Sequence, residues 1–254
     1  MRPGPTSGAF RFRPVSSRAL IPIRDTIPRR RLPFVNTLLI IANVACFGLE
    51  LAQGDRLPEL VDAFAFVPAR LFHASAFPGW TFGASLVTIF TAMFLHGSIA
   101  HLGGNMLFLW IFGDNVEDEL GHFRYLFFYL AAGALATFAQ ALFVPRSEVP
   151  NLGASGAIAG VLGGYFLLFP RARILTLIPL FFLFPLVEVP AGLFLLLWFL
   201  MQFWMGGSSL ASSGRRAASG GVAWWAHVGG FLAGLVLVPL LRPARRPEAR
   251  YRLR

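Results

Sequence analysis

The chain has 254 residues, of which 56% are apolar and 13% charged, with a mean hydropathy of +0.64; this balance belongs to polytopic membrane proteins and excludes an ordinary soluble globule. Its net charge of +10 carries no lysine: all 22 basic residues are arginine, eight before Pro33 and six after Leu241. Arginines crowded beside apolar spans set topology and attract anionic lipid, and no soluble segment remains to build a folded basic face, so no nucleic-acid partner is expected.

In chain order, residues 1–33 hold arginine, proline and serine without the apolar stretch of a signal peptide, and read as a basic cytosolic tail. A helix needs about 20 residues to cross a ~30 Å hydrocarbon core. Six candidates follow, at roughly 34–52, 101–117, 122–143, 153–169, 190–206 and 221–241, ahead of a second basic cytosolic tail at 242–254. The expected fold is therefore an all-α polytopic membrane protein, a bundle of six transmembrane helices over 34–241 with a large first outer loop. Arginine placement puts both termini in the cytoplasm, with Arg124, Arg171 and Arg173 on that side and Arg215 and Arg216 outside. The lone Cys46 lies in an apolar run and forms no intrachain disulfide.

Two shorter apolar pieces complicate the count. Leu86–Leu95 spans only ten residues and reads as a re-entrant or interfacial element. Ile174–Pro190 carries three prolines and Glu188, and counting it as a span would export the arginine-rich C-terminus, so it reads as a cytoplasmic-side hairpin or dip. The Gly- and Ser-rich loop Gly206–Gly221 reads as flexible and, with the aromatic-rich fifth helix, forms a candidate gate.

The chemistry concentrates on three helices. In "NLGASGAIAGVLGGYFLLFP", Asn151–Pro170, Ser155 is followed by Gly156, Gly160 and Gly164, a stripe that lets another helix approach closely. "AHVGGFLAG" in the last helix sets Gly230 and Gly234 on a matching stripe, with His227 one turn earlier. The topology makes these helices parallel, so Ser155 and His227 share a depth near the outer ends. His101 and Asn105, four apart, occupy one face at the outer end of the second helix, where an imidazole and an amide are suitable oxyanion donors. Other readings coexist: glycine stripes are packing devices, a serine at a helix start also caps it, and Asn105 can bond neighbouring backbone. No metal is expected, since the set lacks an HExxH pair, a carboxylate at this depth and a cysteine. Glu117, Asp118 and Glu119 read as a solvated helix end or as partners of Arg124. No third acid is visible near His227, so a serine hydrolase here would use a dyad.

Taken together, "HLGGNMLFLWIFGDNVED" at 101–118, "GASGAIAG" at 153–160 and "AHVGGFLAG" at 226–234 resemble the three motifs of the bacterial-type rhomboid intramembrane serine proteases. The resemblance covers roughly 34–241. It implies Ser155 as nucleophile, His227 as general base, and His101, Asn105 and the Ser155 backbone N–H as oxyanion donors, with no cofactor. It also implies substrates that are themselves membrane proteins, met within the lipid bilayer. With the all-arginine composition, the expected location is a bacterial inner membrane. Two positions depart from the family: Ala159 replaces an aromatic one turn after the serine, and Val87 and Thr88 stand where many members carry a Trp-Arg pair. Rival readings are a non-cutting rhomboid-like binder of membrane clients and a transporter using His101, Asn105 and His227 as a proton relay. The presence of both Ser155 and His227 favours the protease.

Overall fold

The computed structural model describes residues 21–178, 185–211 and 222–243. A strand, β1 (Ile21–Asp25), precedes the first long helix, α1 (Phe34–Ala52). Three short helices follow, α2 (Leu57–Phe64), α3 (Pro68–Phe72) and α4 (Phe82–Thr91), and then α5 (Ile99–Leu120), α6 (His122–Phe143) and α7 (Ser155–Leu168). Strands β2 (Arg173–Leu177) and β3 (Leu186–Pro190) lead to α8 (Ala191–Ala211) and α9 (Trp224–Leu241).

Four of these helices, α1, α6, α8 and α9, are long and apolar enough to cross a membrane, and α4 with α5 forms a fifth unit bent by 83°. The bend begins in the short apolar piece expected to be re-entrant. The Ser98 hydroxyl caps α5 by accepting the His101 N–H at 3.1 Å. At the other end Gly121, at φ +80°, reverses the chain into α6 within one residue. Helix α7 has 14 residues, about 21 Å at 1.5 Å each, and is shorter than a hydrocarbon core. It is the centre of the bundle: every residue from Ala157 to Tyr165 is buried, packed between α5, α6 and α9.

Helices α5, α7 and α9 run parallel. His101, Ser155 and His227 lie toward their N-terminal ends, and a small sheet lies at the opposite end. Within the expected hairpin, β2 pairs antiparallel with β3, and β1 joins them as a third antiparallel strand drawn from the basic N-terminal segment. Asp25 at the end of β1 accepts the Asn115 amide of α5 at 2.7 Å and the Tyr165 hydroxyl of α7.

The acidic run after Asp114 is also not a solvated helix end paired with Arg124. Glu117 is buried, and its carboxylate accepts the Val35 and Asn36 N–H groups at 2.9 and 2.7 Å, meeting the unpaired donors of the first turn of α1. Asp118 accepts the Arg30 and Arg31 N–H groups, and Glu119 pairs with Arg242. The expected flexible loop begins later than Gly206, because α8 continues through Ala211; 212–221 lies outside the described residues, as do 1–20 and 244–254 of the two basic tails.

Candidate active site

Glycines bring α7 and α9 together. A Cβ on Gly230 would collide with the carbonyl oxygen of Gly156, and one on Gly234 with that of Gly160. Gly163, which the sequence reading passed over, meets the Phe231 carbonyl in the same way, while Gly156 and Gly160 also face Ala136 and Ala132 of α6. With backbones this close, His227 Nε2 stands 2.8 Å from Ser155 Oγ. The histidine is buried at 8% exposure, whereas the serine at the helix start is half-buried.

Before α7 the chain is held in an extended seat. Asn151 and Phe66 exchange both backbone hydrogen bonds, at 2.7 and 3.0 Å, and the Gly153 N–H bonds to the Ala92 carbonyl at 2.8 Å. Gly153 adopts φ +126°, and a Cβ there would lie 2.7–2.8 Å from the His101 ring and 3.7 Å from the Asn105 amide nitrogen. His101 and Asn105 therefore close over the residue two before the serine. Ser155 is the first residue of α7, and a first-turn N–H has no carbonyl partner within its own helix. A serine, an imidazole at hydrogen-bond distance and a set of N–H donors beside them make an arrangement able to attack a carbonyl and hold the resulting oxyanion. Among the described residues, no three His, Cys, Asp or Glu side chains gather as a metal site.

The family model of the Rhomboid domain matches residues 83–244, more than half of the chain. The chain belongs to the rhomboid family. It is 35% identical over 162 residues to "Rhomboid protein 1, mitochondrial" of Saccharomyces cerevisiae, covering 60% of this chain and 41% of that protein. Over 75 residues it is 47% identical to "Rhomboid protease GluP" of Bacillus subtilis, covering 30% of this chain and 14% of that one. "Rhomboid-like protein 11, chloroplastic" of Arabidopsis thaliana is 40% identical over 91 residues, 36% of this chain and 29% of the plant protein. The chain thus spans less than half the length of these curated relatives. It is a multi-pass integral membrane protein of a family that includes serine proteases.

Within this rhomboid bundle, the two departures have structural counterparts. Ala159 is buried with its Cβ against Gly230: an added Cβ on Gly230 would come within 3.1 Å of it, so the space of an aromatic is taken by α9 itself. The His227 ring is flanked instead by Trp198 of α8, centroids 5.8 Å apart, and by Trp224 edge-on at 6.2 Å. Its Nδ1 meets Gln202 Oε1 at 2.7 Å. In the loop between α1 and α5, the Arg70 guanidinium lies 4.3 Å from the Trp80 ring centroid and pairs with Asp62, so a Trp–Arg contact forms from residues ten apart.

The sequence reading missed a further histidine. His96 is buried, and its Nε2 stands 3.0 Å from the Asn105 amide nitrogen while its backbone N–H bonds to the buried Glu50 carboxylate. With His96 Nε2 accepting, this contact takes one of the two Asn105 N–H groups. Gln202 was missed as well. A polar side chain such as Gln202 inside an apolar span is costly and demands a partner, but the sequence does not say which.

Proposed function

We propose that the chain is an intramembrane serine endopeptidase that hydrolyses peptide bonds in or near the transmembrane helices of membrane-protein substrates through a Ser155–His227 dyad. The observation that supports this most is the 2.8 Å contact between Ser155 Oγ and His227 Nε2. His227 accepts the hydroxyl proton as Oγ attacks the peptide carbonyl carbon. The Ser155 N–H, His101 and the Asn105 amide receive the developing oxyanion, helped by the positive end of the α7 dipole. The imidazolium returns its proton to the leaving amine, and a water deprotonated by the same imidazole resolves the acyl-enzyme.

The arginine distribution favours cytoplasmic termini and six passes, α7 being the short one, in a bacterial inner membrane. In that orientation the serine sits a little below the outer surface, because α7 is too short to reach it, and both water and a lipid-borne substrate have access. A bond locked in a helix cannot be presented extended to Ser155, so the preferred substrates are membrane helices that are unstable near their outer ends. Cleavage of single-pass proteins co-reconstituted in liposomes tests this: wild type cuts near the outer end, Ser155→Ala does not, and leucine substitutions around the cut site suppress cleavage. Cutting that persists in Ser155→Ala would refute the dyad, and cutting indifferent to the leucines would refute the substrate class.

A further inference from the structure

Helix α8 leaves most of its apolar surface uncovered by the rest of the bundle. Leu193, Leu196, Leu197, Leu200, Phe203 and Trp204 are each at least 43% exposed. A narrow seam faces inward, with Leu195 and Gln202 at 0% and 2% exposure and Trp198 between them. Gln202 is the only buried polar side chain of α8 among the described residues. A carboxamide at membrane depth is costly unless its hydrogen bonds are met, and Gln202 spends its oxygen on His227 Nδ1 at 2.7 Å.

We infer that Gln202 is a positioning residue that fixes the tautomer of His227, an inference that rests on the protease reading above. A neutral imidazole carries one N–H. With the proton on Nδ1, it donates to Gln202 Oε1 and leaves the Nε2 lone pair facing the Ser155 hydroxyl, which is the form a general base requires. With the proton on Nε2 and the carboxamide oriented as it is, the Nδ1 lone pair would face the Gln202 oxygen, two acceptors at 2.7 Å; that tautomer needs the amide turned over, and Nε2 would then donate to the serine instead of accepting from it. Gln202 therefore disfavours the inactive tautomer and holds the ring plane, the task of the aspartate in a Ser-His-Asp triad, with a neutral group suited to a site within the membrane. Trp198, one turn earlier on the same seam, sits against the ring, so α8 supplies both the acceptor and a wall. The base is thus set only while α8 is seated against α9.

The test compares Gln202→Leu and Gln202→Glu by the rate at which a fluorophosphonate labels Ser155 across pH, with thermal unfolding as a control on folding. Leu removes the acceptor at similar volume and slows labelling roughly 10- to 100-fold, less than the ~10⁴ that a wrong tautomer costs in a triad. Glu retains an acceptor, cannot donate when ionised, restores labelling toward wild type and moves the acidic limb of the profile to higher pH, because a carboxylate favours the imidazolium. A merely structural role would be met by Leu at similar volume, with labelling near the wild-type rate. Wild-type labelling rates in Gln202→Leu, or a Glu variant as slow as Leu with an unmoved limb, would overturn the inference and leave the dyad intact. A second readout needs no activity: imidazole ¹⁵N resonances of wild type, assigned with His227→Ala, show the proton on Nδ1. A proton found on Nε2 would overturn the inference directly. Wild type that is never labelled would instead reject the protease reading.

Discussion

Gly230 of α9 faces the carbonyl oxygen of Gly156 in α7 so closely that a Cβ at position 230 would overlap it. These glycines adjoin the Ser155–His227 contact, Gly156 following Ser155 and Gly230 lying three residues after His227. Gly230→Ala must push the helices apart at the level of the dyad. Overpacking of this kind costs about 1–3 kcal/mol, and a hydrogen bond of 2.8 Å does not survive a shift approaching an ångström. The expected outcome is a lower unfolding temperature together with loss of Ser155 labelling. Gly234→Ala, one turn deeper, should destabilise comparably and spare more labelling, and the ratio of the two effects is read by running both assays on each variant.

Asn105 holds one of the proposed oxyanion donors while His96 engages its other N–H. Asn105→Ala should lower kcat for a cleaved substrate by roughly 10²–10³ with little change in KM, as removal of such a donor does. Gly153→Ala should give a loss of similar direction, since it combines a φ of +126° with a Cβ 2.7 Å from the His101 ring. Steady-state kinetics in liposomes separate the two constants.

In the first loop, the stack of Arg70 on Trp80 and its pairing with Asp62 hold α3 against the segment before α4. Replacing Arg70 with Lys keeps the charge but loses the planar fork and the stacking surface. A stability loss of about 1 kcal/mol is expected, seen as a lower unfolding midpoint with Ser155 still labelled.

Asp25 ties the small sheet to α5 and α7, and burial holds its carboxyl above the ordinary carboxylate range even though the Tyr165 hydroxyl opposes the shift. The folded state therefore favours the protonated form more than the unfolded state does. Its stabilising contribution is complete at low pH and is lost as pH rises through the raised folded value. Asp25→Asn cannot ionise and should show a flatter stability curve over the same rise, overtaking wild type above it. Unfolding midpoints measured at intervals from pH 4 upward decide the point.

The three helices that build the candidate site were legible because each carries its motif within two or three turns, where helical spacing alone fixes which residues share a face. The bend before α5 and the β2–β3 hairpin were legible from length and proline content. What stayed hidden depends on distant pairing. Glu117 looks like any acidic helix end until the N-terminus of α1 arrives beside it, and β1 lies in a basic segment with no alternation to mark a strand. Gln202 sits in "LLLWFLMQFWM" without a motif, and its partner is 25 residues away on another helix. Ala159 pointed to a missing support for His227, but the side chains that fill the role come from α8 and the first turn of α9, where sequence spacing gives no register.

The most direct measurement is labelling of the purified protein in detergent by a fluorophosphonate, with wild type beside Ser155→Ala and His227→Ala and folding verified for each. An activated serine 2.8 Å from a buried histidine predicts a labelled wild type and no label in either variant. A folded wild type that takes no label, or label that survives Ser155→Ala, would contradict the assignment and favour the non-cutting client binder.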